Sequence, residues 1–99
     1  MNYRISILEN RKETKNIHTI VTTRPENFSY IPGQYIEAQT QPGNRAYLAL
    51  TSSPDELTLK FLIKKAEGAA GSITSSGPDY SFDISEAKGP GFPRGPVQI

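Results

Sequence analysis

There is no cysteine in this chain. Disulfides, thiolate catalysis and iron–sulfur ligation within it are therefore excluded. Its one histidine leaves little material for a histidine-rich metal site or a Ser-His-Asp triad. That residue, His18, lies inside a β-branched run, where a lone histidine is ordinarily a surface or hydrogen-bond-satisfied side chain. No apolar run approaches the roughly 20 residues that span a bilayer. The start, Met1-Asn2-Tyr3-Arg4-Ile5, lacks the apolar core of a secretory signal. A soluble, cytoplasmic chain with no membrane partner is expected. An excess of one charge is also lacking: the net charge is +1, with acids and bases interleaved. A nucleic-acid binder usually carries a basic stripe, so no nucleic-acid partner is expected. Long helical periodicity and internal repeats are absent, and no Gly-x-Gly-x-x-Gly follows a strand, so no dinucleotide fold is encoded.

What is present is a series of short strand patterns. Ninety-nine residues fit one small domain with a single core and little stability to spare. Tyr3-Arg4-Ile5-Ser6-Ile7 alternates apolar with polar, the period of a half-buried strand. The charged stretch from Asn10 to Asn16 reads as an exposed hairpin loop. Ile17 to Thr23 is β-branched, and Arg24-Pro25-Glu26-Asn27 ends it, since proline cannot donate to a ladder. Pro32-Gly33 predicts a type II turn, with proline presetting its first central residue and glycine supplying positive φ at the second. Tyr35 to Gln39 is a strand, and Pro42-Gly43-Asn44 turns the chain into the next.

Leu57 to Lys64 is the clearest strand pattern, with Leu57, Leu59, Phe61 and Ile63 on one face. Gly68-Ala69-Ala70-Gly71 has no residue large enough to hold a core. Ser72 to Ser76 predicts one helical turn with Ser72 as N-cap, ended by Gly77-Pro78. Tyr80 to Ile84 alternates again. Six short strands with turns between them predict an all-β fold, a six-stranded antiparallel barrel or sandwich with one short helical turn. The barrel domain is expected over 1–88. From Gly89 onward, Gly-Pro-Gly-Phe-Pro-Arg-Gly-Pro reads as a loop or linker tail, 89–99.

The chain is organised around Arg45-Ala46-Tyr47-Leu48-Ala49-Leu50-Thr51-Ser52-Ser53-Pro54. An apolar strand exits here through hydroxyl residues and is stopped by proline. Such an exit can present donors to a ligand, with a flat ring and a cation just upstream. It is also what an ordinary core strand leaving through a turn looks like. This stretch resembles the flavin-contacting strand of the ferredoxin reductase-like FAD-binding domain. Its neighbours follow that family's order. Phe28-Ser29-Tyr30-Ile31-Pro32-Gly33-Gln34-Tyr35 is similar to its F-x-Y-x-P-G-Q-Y segment. Leu57 to Lys65 is similar to the next strand, and Gly68 to Ser72 to the phosphate loop. The resemblance spans Tyr3 to Phe92, and Pro-Gly-Gln-Tyr is its most specific piece.

The resemblance implies a Greek-key barrel that binds FAD as the flavin half of an NAD(P)H-dependent oxidoreductase. The family motif Arg-x-Tyr-Ser supplies a guanidinium fork for the pyrophosphate, a ring that packs on the isoalloxazine, and a hydrogen-bond partner near the reactive nitrogen. Two registers match it. In one, Arg45 and Tyr47 take the arginine and tyrosine places, with Leu48 at the serine. In the other, which needs no gap before Thr51-Ser52-Ser53-Pro54, Ala46, Leu48 and Ala49 take the three places. A one-residue shift turns every side chain to the opposite face, so the registers are physically distinct.

The implied flavin-ring residues are Tyr47, Leu50 and Thr51; the implied phosphate residues are Arg45, Gly71 and Ser72. Lys64 and Lys65 precede the phosphate loop and are either added charge or solvated strand ends. No catalytic acid, base or metal ligand is implied, because the flavin carries the chemistry. Gly89-Pro90-Gly91-Phe92 is similar to the segment before the family's nicotinamide-binding domain, so hydride supply is expected from an NAD(P)-binding domain or a redox partner protein. Two other readings stay open. One is a degenerate barrel of the same descent, without flavin, acting as an interaction or regulatory module. The other is an unrelated barrel stacking bases or sugars on Tyr3, Tyr35, Tyr47 and Phe61.

Overall fold

A computed structural model describes residues 3–91. Strands β1 (Tyr3–Lys12) and β2 (Ile17–Thr22) form an antiparallel hairpin. The exposed loop expected over Asn10 to Asn16 is corrected: Asn10, Arg11 and Lys12 belong to β1, because Thr14 closes a tight turn that lets these polar residues pair with β2. Its Oγ1 accepts the Asn16 and Ile17 N–H groups at 3.3 and 3.1 Å, while the Glu13 N–H bonds the Ile17 carbonyl at 2.9 Å. The register shifts between Ile7 and Glu9, leaving Leu8 as the extra, exposed residue of a β-bulge.

The remaining strands are β3 (Tyr35–Gln41), β4 (Asn44–Ala49), β5 (Leu59–Lys64) and β6 (Ser81–Ile84). The sheet order is β4-β3-β6-β1-β2-β5. The two ends of that sheet meet: Leu50 bridges Phe61, and the Thr51 N–H donates to the Lys60 carbonyl at 2.9 Å. β3, β4 and β5 succeed one another, and β6 returns to lie beside β3, which is the Greek-key arrangement. The chain is thus an all-β, nearly closed six-stranded antiparallel barrel with one short helix, as expected.

Inward residues alternate along β3, β5 and β6, whereas Ile20, Val21 and Thr22 of β2 are all buried. Ile5, Ile20, Ile36, Leu59, Phe61, Phe82 and Ile84 are essentially fully buried. α1 (Ala69–Thr74) packs onto this core through Ile73 and Ala69. Two further expectations are corrected. Leu57 does not join the apolar face of β5; it lies in the turn before the strand and is 92% exposed. The helix begins before Ser72, because Ala69, small as it is, is buried and serves the core.

The C-terminal end of α1 is held by a residue of β1. Asn10 Nδ2 donates to the Thr74 and Ser76 carbonyls at 3.0 and 2.6 Å. Its Oδ1 can only accept, so His18 Nδ1 carries the proton of the 2.8 Å bond between them. His18 is therefore a satisfied structural residue. Gly33 has φ 90°, and the Gln34 N–H bonds the Ile31 carbonyl, as the type II turn at Pro32-Gly33 requires. Gly89–Gly91 lie against this turn: Gln34 Nε2 donates to the Gly89 carbonyl at 2.7 Å, and a Cβ on Gly91 would meet Ile31 and the Pro32 carbonyl. The rest of the expected 89–99 tail, Phe92 included, lies outside the described residues. Among the described residues, no helix is long and apolar enough to cross a membrane.

Candidate functional site

The outer face of the β3–β4 pair carries the residues singled out from sequence. On β4, Arg45, Tyr47 and Ala49 are exposed, while Ala46 is half-buried and Leu48 buried. The pairing sets Gln39 opposite Arg45, Glu37 opposite Tyr47 and Tyr35 opposite Ala49. Arg45 and Tyr47 therefore share the outer surface, as the first register requires. The tyrosine place of the second register, Leu48, points into the core.

Tyr47 is 69% exposed. Its ring meets that of Tyr35 edge to face, with centroids 5.5 Å apart and planes at 85°. This is a favourable quadrupolar arrangement, and it leaves a flat surface toward solvent. Beside the pair, at the exit of β4, lies a cleft of about 370 Å³ lined by Pro32, Gly33, Ala49, Leu50, Thr51 and Ser52. It is the most apolar of the three main clefts among the described residues.

The two expected ring contacts at this exit differ. The Leu50 side chain is buried, and its N–H donates to the Gln34 carbonyl at 3.1 Å. Thr51 is exposed, with its N–H already bonded to Lys60. The backbone N–H groups of Leu50 and Thr51 are thus both spent inside the barrel, and the Thr51 hydroxyl remains. Ser52 is also committed, bonding Tyr30 Oη at 2.7 Å and accepting the Lys60 N–H at 3.1 Å.

At the other end of β4 the phosphate-loop residues come close. A Cβ on Gly68 would lie 3.3 Å from Asn44 Oδ1, so α1 starts against the residue before Arg45. Gly68, with φ 75°, is the N-cap, and it makes no side-chain cap bond. Ser72 is not the N-cap expected from sequence: its N–H donates to the Gly68 carbonyl at 3.0 Å, which makes it an interior helical residue. Gly71 lies in the same turn, pressed against the backbone of Ala66. Its lack of a side chain answers a packing need whatever else it does.

The structure thus spreads four of the candidates along β4 and its exit, with Arg45 at one end, exposed Tyr47 in the middle, and buried Leu50 and exposed Thr51 at the cleft. Gly71 and Ser72 lie in α1, which starts with Gly68 beside Asn44. At about 3.3 Å per residue, Arg45 to Thr51 spans roughly 20 Å. Lys64 and Lys65 are solvated, and the Lys65 N–H closes onto the Asn16 carbonyl at 2.6 Å. Of the other proposed stacking residues, Phe61 is wholly buried and Tyr3 packs edge to face on Phe28 at 5.2 Å.

Sequence reasoning missed two residues of this face and one pairing. Tyr35 was marked in Pro-Gly-Gln-Tyr and as a stacking ring, but not as the edge-to-face partner of Tyr47. Glu37 and Lys88 were unmarked. Glu37 is only 13% exposed and stands between two cations, with Oε2 at 3.6 Å from Arg45 Nη1 and Oε1 at 4.0 Å from Lys88 Nζ. Strand period puts Glu37 on the same face as Tyr35, but only the β3–β4 register and the Tyr35–Lys88 bridge bring its partners to it.

Two other clefts are shallower in chemistry. One is lined by Arg24, Pro25, Pro54, Asp55, Glu56 and Leu57, but its arginine is consumed. Arg24 donates to the carbonyls of Phe28, Pro54 and Glu56 at 2.6–3.2 Å and lies 5.2 Å over the Tyr30 ring. It ties two turns together. The turn at its edge holds its carboxylates in the charged form: the Ser53 hydroxyl on Asp55 and the Ser53 N–H on Glu56 lower both below their ordinary values. The other cleft, between Arg4, Gln39, Thr40, Gln41, Pro42 and Asp83, is polar and braced by the exposed Arg4–Asp83 pair. Among the described residues, no cluster of acids and histidine suits a metal ion.

No family model matches the sequence, and no curated protein is significantly similar to it.

Proposed function

We propose that this chain is a flavin-binding barrel, holding FAD on the outer face of β3–β4 as the flavin half of an NAD(P)H-dependent oxidoreductase. The observation that carries the reading is the line from the apolar cleft at Leu50–Thr51, across exposed Tyr47, to Arg45 and the start of α1. A flat ring at one end and phosphates at the other match that polarity. The order of motifs along the chain supports the same ligand. FAD held this way would accept hydride from NAD(P)H and pass electrons on; what this chain contributes is a platform at Tyr47, a hydroxyl at Thr51 and a guanidinium at Arg45. The NAD(P)-binding part would come from another domain or a redox partner.

The test is the absorbance spectrum of the purified protein, followed by titration with FAD and riboflavin read by flavin fluorescence. Flavin bands or saturable binding are expected. Arg45→Ala should weaken FAD by about 10-fold, the scale of a lost charge-assisted hydrogen bond, and leave riboflavin nearly unchanged. Equal loss for both ligands removes Arg45 from the phosphate role, and no binding of either removes the flavin.

A second reading has its own observation. With the N–H groups of Leu50 and Thr51 bonded internally and Leu48 buried at the serine place, the site is left with the Thr51 hydroxyl alone where a flavin edge would use several donors. A barrel of this type without flavin would use the Tyr35–Tyr47 face to contact a protein. Stoichiometric FAD in the native protein excludes it.

A further inference from the structure

The Glu37 cluster is unusual in its stoichiometry, with one carboxylate serving two cations. Glu37 is largely covered, whereas the side chains of Arg45 and Lys88 are 57% and 42% exposed. Both cations are held by charge and not by hydrogen bonds, at 3.6 and 4.0 Å, so Glu37 attracts Arg45 while the guanidinium donors stay available. Lys88 is fixed in place by reciprocal backbone bonds with Tyr35, at 2.8 and 3.1 Å.

A covered carboxylate stripped of every partner is costly, so a ligand could not take Arg45 away if Arg45 were alone. Lys88 removes that obstacle. We propose that Glu37 gates Arg45 by partner exchange: a phosphate or pyrophosphate group draws the guanidinium off Glu37, and Lys88 keeps the carboxylate paired. The guanidinium fork suits phosphate bidentately, whereas the ammonium serves as a point charge for the carboxylate left behind. Glu37 thereby sets how strongly the face prefers phosphorylated over unphosphorylated ligands. The exchange concerns pyrophosphate as such; its extension to flavins rests on the function proposed above.

The experiment titrates ¹⁵N-labelled protein with inorganic pyrophosphate and follows the Arg45 Nε–H resonance, in the native chain, Glu37→Gln, Lys88→Met and the double variant. Glu37→Gln should tighten pyrophosphate by about 5-fold, the upper range for a partly exposed ion pair. Lys88→Met should weaken it by about 3-fold when Glu37 is present and have no effect in the Glu37→Gln background. An Arg45 resonance that pyrophosphate does not move, or a Glu37→Gln variant that binds no tighter, overturns the exchange. Equal weakening by Lys88→Met in both backgrounds also overturns it, since Lys88 would then bind the phosphate directly. Parallel titrations use FAD and riboflavin, and the gain from Glu37→Gln should appear for FAD alone. If pyrophosphate behaves as stated and neither flavin binds, the exchange stands and the flavin reading falls.

Discussion

Replacing Gly71 by alanine separates two accounts of the Gly-Ala-Ala-Gly loop. On helix propensity alone the change is favourable by about 1 kcal/mol, because alanine restricts the unfolded chain and glycine does not. The structure reverses that sign. An added Cβ would sit nearer than 3.0 Å to the Ala66 carbonyl oxygen and 3.3 Å from its carbon. The helix cannot simply back away. Ile73 is wholly buried, and Asn10 grips the Thr74 and Ser76 carbonyls. Relief must come from Ala66, in an exposed segment whose neighbour Lys65 is bonded to Asn16.

Forcing a methyl into such a contact costs about 2–3 kcal/mol. Less the propensity gain, the net destabilisation is about 1–2 kcal/mol, or roughly 4–16 °C in Tm for a domain of this size. Thermal and urea unfolding followed by circular dichroism measure it, with an unchanged m-value as the check that only stability moved. Gly77→Ala is the internal control. No atom lies within 4 Å of its added Cβ and its φ is not positive, so it should be neutral or raise stability by about 0.5 kcal/mol. A Gly71→Ala protein as stable as the native one would refute the close approach, and with it the packing account of this glycine.

Two further outcomes follow from the turns around Arg24. Arg24→Met should destabilise by about 2–4 kcal/mol, since it strips charge-assisted bonds from three carbonyls, and Arg24→Lys should recover little because an ammonium has no fork; a lysine variant with native Tm would contradict the clamp. The carboxylates of Asp55, Glu56 and Glu9 are all held below their ordinary values, the first two by Ser53 and the third by Arg11. Groups with depressed folded values contribute stability above their unfolded values and lose it as pH falls through the folded ones. Tm should therefore decline as pH falls below about 4.5. Because these groups are on the surface, the decline should be shallow, and Ser53→Ala should flatten it further. A Tm indifferent to Ser53→Ala across that range would remove the turn from the acid response.

Much of the fold was legible from residue order because the signals are local. Alternation marked β1, β5 and β6, β-branching marked β2, and Pro32-Gly33 announced a turn that only a positive φ completes. The errors lie where local signals ran on without a partner to stop them. Leu57 continues the alternation of β5 perfectly, yet pairing with β2 begins at Leu59, opposite Thr22, so Leu57 is left in water. Ser72 is a good N-cap by type, yet the helix is placed by what it buries, Ala69 and Ile73, and by Asn10 at its far end, sixty or more residues away in sequence.

The site was legible in the same measure. Arg45, Tyr47, Leu50 and Thr51 were marked by type and order, but not the face each takes. Strand period fixes that alternate residues share a face; it leaves open which set faces the core. That choice belongs to the whole barrel, because Leu48 and Ile36 must meet the other strands' apolar residues, and this turns Arg45 and Tyr47 outward. Tyr35, Glu37 and Lys88 join them only through strand pairing. Alternation and turn chemistry, which act over a few residues, determined which segments are strands, while pairing set where β1 ends and β5 begins. Burial and register, which act between distant segments, decided which of those side chains form one surface.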